Sequence, residues 1–296
     1  MRLKGGLGNQ FFQYAAARRL SIHHGTELKL DISYWKTNTS WAPYESFQRY
    51  GLSHFSVQES FATEEDICKI TMSRRKGLLG AVHSLGEFIK PYYRRPVFAE
   101  PELRPFDPNI LKTPKDVYLD GYWQSERYFA PIADTIRREF RVNSEPDKEN
   151  RILAEQIESR ESVAVHVRRG DRVKDPRIAR LHGTQSIEYY HSAARLIANE
   201  VRKPHFFVFS DDPQWAKSNL RLDPVIYVTH NGDSRNYEDL RLMSLCKHSI
   251  IANSTFSWWA AWLNKNPNKL VIAPKNWFRT ENLDTQDLIP QDWTQI

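Results

Sequence analysis

The sequence predicts an α/β protein built on parallel strands with helices on both faces. Three observations carry this. The chain opens as a strand, a glycine turn, a helix and a second strand. Its second half alternates short apolar runs with helical patterns, which is how parallel sheets are wound. Its 296 residues, 40% hydrophobic and 26% charged, have a globular composition and suit two domains of about 150 residues each or one large α/β domain.

The elements follow in order. Met1–Lys4 reads as a very short strand, and Gly5-Gly6-Leu7-Gly8-Asn9 as a turn. A helix is expected from Gln10 to about His24, because Phe11, Tyr14, Ala15, Arg18 and Ile22 follow helical spacing and Gly25 is a natural stop. Leu28–Ile32 alternates as a strand. Residues 33–57 are aromatic and irregular (Tyr34, Trp35, Trp41, Tyr44, Phe47, Tyr50), a candidate binding loop. Leu78, Val82, Leu85 and Ile89 share one helical face, weakened by glycines at 77, 80 and 86. Val117–Tyr122 reads as a strand. The polar segment Val142–Lys148, with Pro146, is the best linker, giving domains 1–143 and 144–296. Beyond it strands are expected at Ser162–Val167, Phe206–Phe209, Val225–Val228, Ser249–Ala252 and Leu270–Ala273. Helices are expected at Ile187–Val201, Tyr237–Lys247 and Phe256–Leu263.

Composition excludes several classes. Cys68 and Cys246 are the only cysteines, so there is no disulfide framework and no cysteine-based zinc site. The run His248–Asn264 is uncharged but holds Asn253, Ser254, Thr255 and Ser257, and is short for a membrane span. No secretory signal precedes the first glycine turn, so a cytoplasmic protein is expected. A net charge of +6 is too modest for a nucleic-acid binder. Part of that charge is local: Arg74, Arg75, Lys76, Lys90, Arg94 and Arg95 face one acid, Glu87. The stretch 74–95 is a candidate peripheral contact with the inner face of a membrane, against the plainer reading of a solvated helix face.

Ligands of parallel sheets gather at the carboxyl ends of the strands, and three segments lie there. The turn Gly5–Gln10 offers close backbone approach and a helix N-terminus to an anion. Phe11, however, stands where a dinucleotide fingerprint wants its third glycine. In His166-Val167-Arg168-Arg169-Gly170-Asp171, two arginines end an apolar strand. A phosphate suits such forks, and a structural Arg–Asp pair is the bland alternative. Asn253-Ser254-Thr255-Phe256-Ser257 has more small polar groups than a helix cap needs. Asp211-Asp212 reads most simply as a cap on 212–219, and the chain has no Asp-x-Asp tripeptide.

Together GGLGNQFFQYA at 5–15, HVRRGD at 166–171 and NSTFSWWAAWL at 253–263 resemble the α-1,2-fucosyltransferase family, which fucosylates galactose in blood-group-like glycans. Glu238–Ser244 resembles it too, and Phe11 replaces the Leu or Met common in members. The resemblance implies a GT-B-like α/β fold, two Rossmann-type domains facing across a cleft. The N-terminal one is on the acceptor side and the C-terminal one holds the donor. It implies GDP-β-L-fucose as donor, a galactose-terminated oligosaccharide as acceptor, inversion at the anomeric carbon, and no cofactor or metal. Carried over by position, Arg168 contacts the donor β-phosphate, His166 lies at the guanine side and Asp239 reads guanine. Asn253, Ser254, Thr255, Phe256 and Ser257 hold phosphates and base. Gly6, Gly8 and Asn9 close over the pyrophosphate. Arg168, Asp171 and Asn9 are the catalytic candidates. The group that takes the acceptor proton stays open between Asp171, His166, Asp31 and Asp212. Two other classes compete: a nicotinamide-dependent oxidoreductase, from the glycine turn and Asp31, and a non-catalytic glycan-binding protein, from the aromatic 33–50 segment.

Overall fold

The computed structural model describes residues 1–37, 49–71, 89–100, 105–280 and 283–296. The chain forms two compact units. One holds the described residues up to Phe140 and takes back Leu283–Leu288; the other is built from Arg141–Asn282 and Ile289–Ile296.

The first unit surrounds helix α1 (Leu7–His24). It starts at Leu7, earlier than its glycine-rich opening predicts, because burial of Leu7 outweighs weak local propensity. Gly25 ends it in a left-handed conformation (φ 63°), its N–H bonding Ile22 O. Phe11, Phe12, Tyr14 and Ala15–Ala17 are all buried, so α1 is enclosed rather than one-faced. Phe11 stacks on Phe140 at 4.0 Å between centroids and meets Phe55 edge-on.

Beside α1, strands β1 (Val97–Ala99) and β2 (Tyr118–Asp120) pair in parallel. The expected strands Met1–Lys4 and Leu28–Ile32 join them through single parallel bridges, Arg2 to Asp31 and Leu30 to Phe61, and Arg2 N donates to Leu119 O. The spatial order is therefore 61, 30–31, 2, β2, β1.

The second unit is a six-stranded parallel sheet. Its strands are β3 (Ser162–Val167), β4 (His205–Ser210), β5 (Val225–Val228), β6 (His248–Ile250), β7 (Val271–Ala273) and β8 (Thr294–Gln295). The order is β5-β4-β3-β6-β7-β8. Counted within the unit this is 3-2-1-4-5-6, the Rossmann order, whose topological switch point lies between its first and fourth strands, here β3 and β6. Every residue of β3 is buried, as a central parallel strand requires. Val163, Val165 and Val167 pack with Tyr190, Ala193 and Ile197 of the helix Ile187–Glu200.

Two strands, β1 and β8, carry no periodic signal in the sequence. The expected linker also differs: Asp147 caps the helix Lys148–Glu158 by accepting Asn150 N at 2.9 Å. Trp41, Tyr44 and Phe47 of the aromatic segment, and residues 74–88 with Leu78, Val82 and Leu85 of the basic stretch, lie outside the described residues. Among the described residues no helix is long and apolar enough to cross a membrane.

Candidate active site

The switch point brings together the ends of β3 and β6. Arg168 follows β3 and is held by two carboxylates, Asp171 Oδ1 at 2.8 Å and Asp211 Oδ2 at 2.7 Å. Burial lowers its basicity, but Asp211 and Asp171 raise it by more, so it stays protonated. Asp211 also accepts Arg169 N at 2.7 Å and Gly170 N at 2.9 Å. Burial pushes the Asp211 carboxyl up, and Arg168 and the two amides more than offset it, leaving it below its ordinary range. Gly170 is required here: a Cβ on it would lie 2.8 Å from Asp211 Oδ2.

Arg169, past the end of β3, is the N-cap residue of the helix Gly170–Lys174 and takes other partners than Arg168. Its guanidinium lies 3.9 Å from the centroid of the Trp215 ring and 3.5 Å from Asp212. Asp212 caps the helix Pro213–Asn219, as expected, by accepting Trp215 N. Asp211, expected in the same cap, instead braces the β3 turn.

His166 is buried next to Phe256, 5.6 Å between ring centroids. Burial pushes its pKa down to about 3, so the imidazole is neutral at pH 7. Its Nδ1 has no hydrogen-bond partner among the described residues.

The residue that sequence reasoning missed is Arg172. It is 6% exposed, and its guanidinium donates to Gly183 O, Asn253 Oδ1 and Asn253 O. Burial and the nearby Arg168 lower its pKa to about 10, which leaves it charged at neutral pH. Asn253 uses its amide on the carbonyls of His182 and Trp277, both at 2.9 Å. Arg172 and Asn253 thus tie the β3 turn to the β6 turn.

After Asn253 the helix Thr255–Leu263 begins with Ser254 at its N-cap, yet the Ser254 side chain makes no capping bond. Ser257 donates to Ala252 O and Ser254 O. The helix thus begins just after the end of β6, and a helix N-terminus at a strand end is a place that suits an anion.

At the end of β5, Asp239 sits in the first turn of the helix Asn236–Leu245. Asn231 Nδ2 donates to its Oδ1 at 2.8 Å. Burial raises the Asp239 carboxyl to about 7, and Glu238 and Asp233 push the same way. Asp233 also acts electrostatically on Arg168, so the two carboxylates border one region.

In the first unit the glycine turn is built differently. Gly6 is the N-cap of α1 and Gly8 lies buried inside it. The turn's left-handed residue is Gly5 (φ 76°), where a Cβ would lie 2.7 Å from Asn9 Nδ2. Asn9 Oδ1 accepts Gln124 Nε2 at 3.0 Å. Gln10 and Gln13 are fully buried and bond backbone groups of Gly5, Arg49, Gly51 and Lys4. Asp31 accepts the Tyr118 hydroxyl and Ser33 N, so both its oxygens are engaged within the unit.

The glycosyl transferase family 11 model matches residues 101–296. The chain belongs to glycosyl transferase family 11. This bears out the family to which the three motifs point. Across its whole length the chain is 32% identical to an alpha-1,2-colitosyltransferase of Escherichia coli, covering 97% of that protein. It is also 32% identical to the O-antigen biosynthesis glycosyltransferase WbnK of Escherichia coli, over 95% of each chain. Human galactoside alpha-(1,2)-fucosyltransferase 1 matches at 28% identity over 49% of this chain and 42% of its own. As a family 11 glycosyltransferase, the chain has the activity class that the oxidoreductase and glycan-binding alternatives lack.

Proposed function

We propose that this family 11 enzyme transfers L-fucose from GDP-β-L-fucose to the 2-hydroxyl of a β-galactoside, with inversion and without metal. The observation that carries this is Arg168, fixed by Asp171 and Asp211 at the switch point beside the N-terminus of the helix Thr255–Leu263.

As the C1–O bond of the donor breaks, negative charge gathers on the leaving GDP. A guanidinium already held in place, and the positive end of a helix, stabilise that charge without rearranging. Such a donor is worth roughly 2.7–4 kcal/mol of barrier. Arg172 adds a second buried cation to the same turn, so the charge is met by protein groups rather than a divalent ion. Asp239 accepts from the guanine edge, and His166 lies beside the base. Asp171, committed to Arg168, acts by holding it.

The relative named for colitose favours one second reading. Colitose is L-fucose without its 3-hydroxyl, so a GDP-colitose donor would fit the same phosphate and base groups. The test is initial-rate transfer to lactose-type acceptors in chelator, with GDP-fucose and GDP-colitose in parallel and the product linkage read by NMR. Transfer from GDP-fucose to the galactose 2-position is expected. Exclusive use of GDP-colitose would replace the donor, and transfer that needs a divalent ion would overturn the metal-free mechanism.

A further inference from the structure

Beneath Asp239 lie two buried amides. Asn150 is 0% and Asn231 4% exposed, and their side chains bond each other reciprocally, Nδ2 of each donating to Oδ1 of the other at 2.9 and 3.0 Å. Each amide has one N–H left. Asn150 donates its own to Asp147 Oδ1 at 3.1 Å, and Asn231 to Asp239 Oδ1 at 2.8 Å. His230 Nε2 fills the remaining site on Asn150 Oδ1 at 2.9 Å.

The Asn150 N–H groups and Arg235 hold Asp147 ionised, and an ionised carboxylate only accepts hydrogen bonds, so Asp147 fixes the direction of the Asn150 amide and, through the reciprocal pair, that of Asn231. Turning Asn150 over would set its carbonyl oxygen against the Asp147 carboxylate. Asp147 is itself anchored by the helix N-terminus that it caps and by Arg235. A tie between helix and loop would need only one of these bonds. The chain of bonds instead ends on Asp239 Oδ1, leaving Asp239 Oδ2 and the second lone pair of Oδ1 for a ligand.

We infer that Asn231, braced by Asn150, is a positioning residue that fixes the plane of the Asp239 carboxylate and so selects guanine over purines lacking the 2-amino group. The inference rests on the proposed role of Asp239. Guanine presents N1–H and the 2-amino group side by side, and a carboxylate accepts both only when its plane matches the base. Hypoxanthine presents N1–H alone.

The test is calorimetric titration of GDP and IDP into the whole protein and into Asp239→Asn, Asn231→Ala and Asn150→Ala, with thermal melts of each. A charge-assisted bond discriminates by about tenfold or more, so the parent protein is expected to prefer GDP by that factor and Asp239→Asn to lose the preference. Asn231→Ala is expected to bring the GDP/IDP ratio within about threefold by weakening GDP while sparing IDP, with Asn150→Ala shifting it the same way. An unchanged ratio in Asn231→Ala, or equal weakening of both nucleotides, overturns the positioning role. A ratio that survives Asp239→Asn removes Asp239 as the guanine reader, and that failure is visible in that variant alone.

Discussion

At the end of β3, Arg168, Arg169 and Arg172 interleave with Asp171, Asp211 and Asp212. At the turn before α1, the buried polar side chains are the neutral amides Gln10 and Gln13, each spent on backbone groups. Both turns join a parallel strand to a helix, and both need a glycine where a Cβ would strike a neighbour, Gly170 and Gly5. Their chemistry differs because buried cations are tolerated only with partners, while amides settle a backbone turn at little electrostatic cost. The second unit is thus built to meet charge, and the first to hold a shape.

The sharpest way to break that comparison is Arg168→Ala. It leaves Asp171 and Asp211 buried without their cation and removes the donor to the leaving group, so kcat is expected to fall by about 10²–10³-fold. A loss under tenfold would mean that charge is met elsewhere. Gly170→Ala comes next. The added methyl displaces Asp211, and overpacking of this kind costs about 1–3 kcal/mol; activity is expected to fall more than the melting temperature predicts. Gln13→Leu probes the other turn. It strands the N–H and C=O of Lys4 and is expected to cost about 1–3 kcal/mol of stability with unchanged GDP affinity. Weakened GDP binding in that variant would give the first unit an electrostatic role. Arg169→Ala, which removes a cation stacked on Trp215 and its loose pairing with Asp212, is expected to cost about 0.5–1 kcal/mol.

A pH series sharpens the comparison without mutation. The Asp239 carboxyl, raised to about 7 by burial, ordinarily titrates near 4. Between those values the native state binds more protons than the unfolded chain, so this group's contribution to stability falls as pH rises through that window. His166 works in the opposite direction, since burial lowers its pKa to about 3. From there to its ordinary value near 6.5 the unfolded chain binds more protons, and its contribution rises with pH. If GDP binds ionised Asp239, titration at pH 6.5 in buffers of different ionisation heat should show proton release on binding. The absence of proton release would mean that the protonated acid meets the base.

Much of the second unit is legible in the sequence because its strands are buried on both faces. Val163–Val165 and Phe206–Phe209 are continuous apolar runs, and the site motifs stand where such runs end. Arg172 is not legible, because its partner Asn253 lies far along the chain and is brought near by the β3–β6 pairing. Asp211 is misread for the same reason: β4 pairs with β3 so that Ser210 lies opposite Val167, which sets the next residue beside Arg168. In the first unit the strands Met1–Lys4 and Leu28–Ile32 are legible but shrink to single bridges, and α1 is legible from its spacing, while its start at Leu7 is hidden by the glycines around it.

The return of Leu283–Leu288 to the first unit bears on how enzymes of this kind could be recombined. Asp287 accepts Phe106 N and pairs with Arg127, both at home in that unit. A chimera joined only after Phe140 would import a foreign Asp287 along with the second unit. A clean exchange therefore needs three junctions, with the first unit keeping its own copy of that short segment.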